Sequence, residues 1–188
     1  VVLGLPVGHQ CGICGMLVAA TPGQPIRRLV LNDIGALVPK VALERIRDYL
    51  GNDPVFESVA ALEAELRRVH APFGALTNAQ WRHLAETSSR VRADGSIGLH
   101  YDPAIAVPFR AVEIVDMDLA PVWMRVETPT LVIRGADSDL LLRETAMEMA
   151  SRPHVSLTEI PGCGHAPALM DAAQIGVVRD YLARQGKG

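Results

Sequence analysis

A chain of 188 residues, 49% of them hydrophobic, is long enough to close one buried core, so a single domain is the expectation. Eighteen Lys and Arg against 21 Asp and Glu leave a net charge of -3. That mixed-sign surface lacks the basic stripe that phosphate neutralisation needs, and it excludes nucleic acid as an expected partner. No apolar run reaches the ~18 residues of a membrane span and no charged leader opens the chain, so the reading is a cytoplasmic protein with no membrane partner.

The chain starts at Val1 on a strand-like run, "VVLGLPV", with nothing before it to pair with. The expectation is a cut N-terminus, with the early strands of the sheet absent and an unpaired edge left behind. A helix-like run, "CGMLVAA", follows the turn Gly8 to Gly12. The breaker cluster "TPGQP" (Thr21 to Pro25) then leads to "RLVLND" (Arg28 to Asp33), an apolar run of strand length. Strand, helix and strand with little polar alternation suit a mostly parallel sheet covered on both faces, an α/β architecture.

From Pro39 to about Ser89 the periodicity turns helical, with Leu43, Ile46 and Leu50 and then Leu62, Leu66 and Val69 on single faces. "HAPFG" (His70 to Gly74) breaks one helix, and Thr77 or Asn78 caps the next. Asp94-Gly95 carries hairpin chemistry. Residues 38–108 are therefore expected to form a helical cap insertion between two parts of the core, 1–37 and 109–188. "PTLVIRG" (Pro129 to Gly135) and "VSLTEIP" (Val155 to Pro161) resume the strands, with helices after each. In the last helix Asp171 is the expected cap, and Ile175, Val178 and Leu182 share one face.

Ligand sites in parallel α/β sheets lie outside the carboxyl ends of the strands. There the sequence places "GADSDLL", with Asp137 and Asp139, and "PGCGHAP", with His165. A carboxylate and an imidazole on neighbouring strand ends form the orienting half of a nucleophilic triad. The bland alternative for either aspartate is helix capping, and for His165 a polar loop residue. His70, His83, His100 and His154 lack metal-ligand spacing, so neither a metal nor another cofactor is expected.

"RRLVLNDIG", "PTLVIRGADSDLL" and "GCGHAP" together resemble the C-terminal part of an α/β-hydrolase of the cap-bearing esterase and C–C hydrolase group. The resemblance covers nearly all of Pro25 to Leu182. It implies Asp139 as the acid of the triad, with Asp137 as the alternative, and His165 as the general base. The family's elbow is G-x-S-x-G; the same place here reads Gly8-His9-Gln10-Cys11-Gly12. One register puts Gln10 at the nucleophile position and another puts His9 there, and neither supplies a serine. Cys11 is the weak substitute, a thiol at a helix start but one position off. Codons GGG-CAC-CAG-TGC-GGG for this stretch, read one nucleotide later, would spell Gly-Thr-Ser-Ala-Gly, so a shifted reading frame is one explanation to test in the gene.

The resemblance implies a hydrolase acting on a small hydrophobic ester or similar carbonyl substrate, with Phe73, Trp81, Leu84 and Phe109 of the cap as candidate substrate contacts. Packing within the cap's own core is the alternative role for these side chains. Without its serine the chain is expected to be impaired, which leaves a truncated, non-catalytic fragment or pseudoenzyme as the second reading. A third is a redox protein built on Cys11-Gly12-Ile13-Cys14. Oligomeric state is not legible.

Overall fold

In the computed structural model residues 9–184 are described, apart from the side chains of residues 9–11, 108 and 109. Helix α1 (His9–Ala19) precedes strands β1 (Leu29–Asn32) and β2 (Leu37–Val38). Helices α2 (Lys40–Tyr49), α3 (Val59–Val69) and α4 (Asn78–Ser88), the hairpin β3 (Ser89–Val91) and β4 (Ile97–Leu99), and α5 (Val107–Ala111) occupy the middle. The chain continues through β5 (Met117–Asp118), α6 (Ala120–Trp123), β6 (Thr130–Gly135), α7 (Arg143–Ala150), β7 (Val155–Ile160) and α8 (Ala172–Ala183).

The central sheet, among the described residues, runs in the order β1-β6-β7 with both pairings parallel. Leu29 stands opposite Thr130, and Thr130 opposite Val155. Side chains alternate across a strand. Leu29, Leu31 and Val132 thus enter one core with Met16 and Ala19 of α1, Trp123 of α6, and Ala146 and Met149 of α7. Val30, Leu131 and Ile133 enter a second core with Tyr181, against which Val177, Val178 and Leu182 pack. Helices on both faces explain why β1 and β6 are buried along their whole length and carry the apolar runs Leu29 to Leu31 and Leu131 to Ile133. This is the expected α/β architecture, a parallel sheet flanked by helices.

Asp171 caps α8 as expected, accepting from the Gln174 N–H at 2.8 Å. Ile175 differs from expectation, being 49% exposed. Tyr181 with Val177 and Val178 forms the face that meets the sheet, and this rotates Ile175 toward solvent.

The middle segment leaves and rejoins the core at one place, where β2 and β5 pair antiparallel with Leu37 opposite Asp118. Within it, α2 sends Ala42, Leu43 and Ile46 into the main core. A separate cluster starts beyond α2, with Leu62 and Leu66 of α3 against Trp81 and Ala85 of α4, covered by Phe56, Ile97 and Leu99. Thr77 caps α4 in a capping box with Gln80. At the hairpin turn Gly95 takes φ +84°, and the Asp94 carboxylate accepts from the Ser96 N–H and hydroxyl.

Ile133 is fully buried between β1, β7 and α8. The Ile133→Ala variant is expected to lose about 2–5 kcal/mol of unfolding free energy, read by urea denaturation; a loss within about 0.5 kcal/mol, the usual surface value, would place this strand outside the cooperative core.

Candidate active site

Three loops converge at the carboxyl ends of β1, β6 and β7, and Asp33 joins them. It follows β1 directly in the left-handed region, at φ 56°, where aspartate is better tolerated than most residues. Its backbone N–H donates to the Ile133 carbonyl at 2.7 Å. Its carboxylate then accepts three bonds: from the Gly135 N–H at 2.8 Å, the Ser138 hydroxyl at 2.5 Å, and His165 Nδ1 at 2.6 Å. The side chains of Asp33 and His165 are 0% and 3% exposed. A carboxylate acceptor assigns the proton to Nδ1, which makes Nε2 the basic nitrogen of the ring.

The carboxylate found on His165 is therefore Asp33, where the sequence pointed to Asp139 or Asp137. Arg134, buried in β6, explains the difference. Its guanidinium donates to the carbonyls of Leu141 at 2.8 Å, Ala136 at 3.0 Å and Ser138 at 3.3 Å, and is neutralised by Glu159 at 2.8 Å. Bound to these carbonyls, the 135–141 loop buries Ser138, Leu140 and Leu141 and exposes Asp137 and Asp139. Ser138 faces Asp33 and also accepts from the N–H groups of Leu140 and Leu141, each at 3.2 Å. Asp139 makes a two-pronged pair with Arg45, both contacts at 2.9 Å, with its side chain 56% exposed.

The loop bearing His165 is held from the core and from the cap-like segment. An added Cβ at Gly135 would collide with the carbonyls of Cys163 and Gly164, so β6 ends against this loop with no room for a side chain. Asp137 N–H donates to the Cys163 carbonyl at 2.8 Å, and the Asn32 amide to the Pro167 carbonyl at 3.0 Å. From the other side, Gly164 N–H donates to the Pro72 carbonyl at 2.7 Å and the Gln80 amide to the Met170 carbonyl at 2.7 Å. The Cys163 thiol is buried, points to the Phe73 carbonyl at 3.4 Å, and is pushed up in pKa first by burial and then by neighbouring carboxylates.

The turn that sequence reading marked as the elbow opens α1, whose helical backbone begins at His9. An added Cβ at Gly12 would run into the Ile34 side chain, so the first turn of α1 packs directly beside the residue that follows Asp33. The side chains of Gln10, His9 and Cys11, the candidate nucleophile positions, lie outside the described residues, as does that of Phe109. Cys14 is a free, exposed thiol.

Of the candidate substrate contacts, Trp81 is a member of the cluster between α3 and α4 and Leu84 packs against it; the Arg67 guanidinium lies 5.5 Å from the Trp81 ring centre. Phe73 is buried at the junction with the His165 loop and stacks on His70, with ring centres 4.5 Å apart. Burial, aided by the charge of nearby His165, holds His70 neutral down to a pKa of about 4. Among the described residues no group of three His, Cys, Asp or Glu side chains could hold a metal ion, and no helix is long and apolar enough to cross a membrane.

A buried Asp–His pair at the strand ends of a parallel sheet is compatible with an α/β hydrolase. Residues 2–177 match the model of the alpha/beta hydrolase family, and the chain belongs to that family. It is 43% identical over 180 residues to a 3-hydroxybutyrate-oligomer hydrolase of Cupriavidus necator, an alignment covering 91% of this chain and 61% of that protein. Among solved structures, it superposes on an alpha/beta hydrolase from Novosphingobium aromaticivorans with a TM-score of 0.83 and 34% identity, covering 97% of this chain and 64% of that one. A protein of Rickettsia typhi matches with a TM-score of 0.85 and 29% identity, covering 94% and 60%. The chain thus spans about three fifths of the length of these relatives.

The neutral His70 sets a pH dependence. Its folded pKa of about 4 lies below the ordinary 6.5, so between these values the unfolded chain binds the extra proton and stability falls as pH drops. The fall in urea midpoint between about pH 7.5 and about pH 5 is expected to be smaller in His70→Phe than in the parent chain; equal falls would mean that His70 titrates freely.

Proposed function

We propose that this chain carries the acid–base half of an ester-hydrolysing site, with His165 as general base and Asp33 as its acid partner. The carrying observation is the buried 2.6 Å contact between Asp33 and His165. The nucleophile position is Gln10, in the first turn of α1, with residues 38–108 serving as a cap over the strand ends. In such a site His165 Nε2 takes the nucleophile's proton as its oxygen attacks the ester carbonyl, and Asp33 stabilises the resulting imidazolium. The imidazolium then passes the proton to the leaving alkoxide. Water, deprotonated by the same nitrogen, then adds to the acyl carbonyl; the bond to the nucleophile's oxygen breaks, that oxygen takes the proton back from the imidazolium, and the acyl group leaves as the acid.

The substrate we favour is a small, largely apolar ester carrying a hydroxyacyl group. The 43% identity to a 3-hydroxybutyrate-oligomer hydrolase supports that choice. Glutamine cannot serve as the activated alkoxide this chemistry needs. A second reading accordingly holds for the chain as written: it binds such esters without turning them over. The observation that favours it is the sequence Gly8-His9-Gln10-Cys11-Gly12, which has no serine.

Gln10→Ser restores G-x-S-x-G and separates the readings. The parent chain is expected to resist a fluorophosphonate label and leave a p-nitrophenyl ester intact, whereas Gln10→Ser takes up the label and hydrolyses the ester. A folded Gln10→Ser chain that does neither would overturn the proposal. Parent activity abolished by iodoacetamide would instead assign the chemistry to a cysteine.

In the Gln10→Ser background, Asp33→Asn is expected to lower kcat by roughly 10⁴-fold, the scale found when a triad acid is neutralised. Asp139→Asn removes only an exposed ion pair, a change within about 1 kcal/mol of stability, and is expected to leave kcat within about twofold. The reverse order would return the acid's role to Asp139.

A further inference from the structure

The turn from His70 to Gly74 does its structural work through the backbone. His70 N–H donates to the Leu66 carbonyl at 2.8 Å, closing α3, and the His70 carbonyl accepts from Phe73 N–H at 2.9 Å. The Pro72 and Phe73 carbonyls then tie the turn to Gly164 and Cys163, beside His165. None of this uses the imidazole of His70. Its ring is half-buried and stacked on Phe73, yet its nitrogens make no hydrogen bond among the described residues.

A phenylalanine would stack there as well; the imidazole adds two nitrogens that are not among the buried unpaired polar atoms and so stay open to a partner from outside the chain. A hydrogen-bonding edge left open in the turn that is bonded to the His165 loop suits a ligand that supplies the partner. Building on the ester-hydrolysing reading above, we propose that His70 is a substrate-binding residue that hydrogen-bonds the hydroxyl of a hydroxyacyl ester while His165 faces its carbonyl carbon.

The electrostatics select a neutral group for this contact. The buried Asp33 carboxylate lies against His165, and it disfavours a second carboxylate on the acyl chain. A hydroxyl brings no charge, and it can either donate to the bare ring nitrogen or accept from the protonated one. Burial first, and then the neighbouring His165, disfavour a charge on His70. Its two tautomers thus let it accept or donate to that hydroxyl without placing a second cation beside the catalytic imidazole.

The test is an NMR titration of the histidine-labelled parent chain with methyl 3-hydroxybutyrate and methyl butyrate, two neutral esters that differ by the hydroxyl. Both are expected to shift the His165 ring signals, and only the hydroxy ester those of His70, with about fivefold tighter binding, the scale of one net hydrogen bond. His70→Phe keeps the stack on Phe73 and is expected to erase that preference while leaving the affinity for methyl butyrate unchanged. His70→Gln, which keeps a hydrogen-bonding group, is expected to retain part of it. A His165 response to both esters with no His70 response, or a preference that survives in His70→Phe, would overturn the inference. If neither ester moves His165, the ester-hydrolysing reading itself fails, and this inference with it.

Discussion

One buried carboxylate joins the three strand ends. Asp33 has no exposed surface, and an ionised carboxylate in such a place is costly unless its oxygens are fully engaged. It meets that condition by accepting from Gly135, Ser138 and His165, on the loops that follow β6 and β7. Hydrogen bonds to a charged group contribute about 1.5–3 kcal/mol each and leave a large penalty when one partner is removed. The same contacts that offset its desolvation also orient the imidazole.

Arg134 plays the corresponding part on the cationic side. It is buried in the central strand, spends its donors on three carbonyls of the following loop, and takes its counter-charge from Glu159 on the neighbouring strand. This holds Ser138 toward Asp33 and turns Asp137 and Asp139 outward. Two buried charges on neighbouring strands, Arg134 held mostly by backbone carbonyls and Asp33 by one backbone N–H and two side chains, thus leave little freedom to the loops between them. The middle segment adds a second restraint, since Pro72, Phe73 and Gln80 all bond to the loop that bears His165.

Much of this could be read before any coordinates. The apolar runs at Leu29 to Leu31 and Leu131 to Ile133 announce strands buried on two faces. Thr77, Asp94-Gly95 and Asp171 mark a helix start, a hairpin and another helix start, because short polar side chains and glycine act on the backbone within a few residues. His165 stands out by its glycine-rich setting after a strand. Asp33 carries a signal too, as an aspartate directly after a buried run, but "GADSDLL" drew attention through its two acids.

Local chemistry, then, determined the strands, the helix caps, the hairpin and the position of the imidazole, since each depends on contacts between residues near one another in the chain. The choice among three aspartates did not. Asp33 and His165 are 132 residues apart, and Asp33 and Ser138 are 105 apart. They meet because β1 and β7 flank β6 in the sheet, and because a buried arginine turns one loop so that its serine, and neither of its acids, faces inward. Strand order and the rotation of a loop are products of packing across the whole core, and only the tertiary structure could decide which carboxylate holds the histidine.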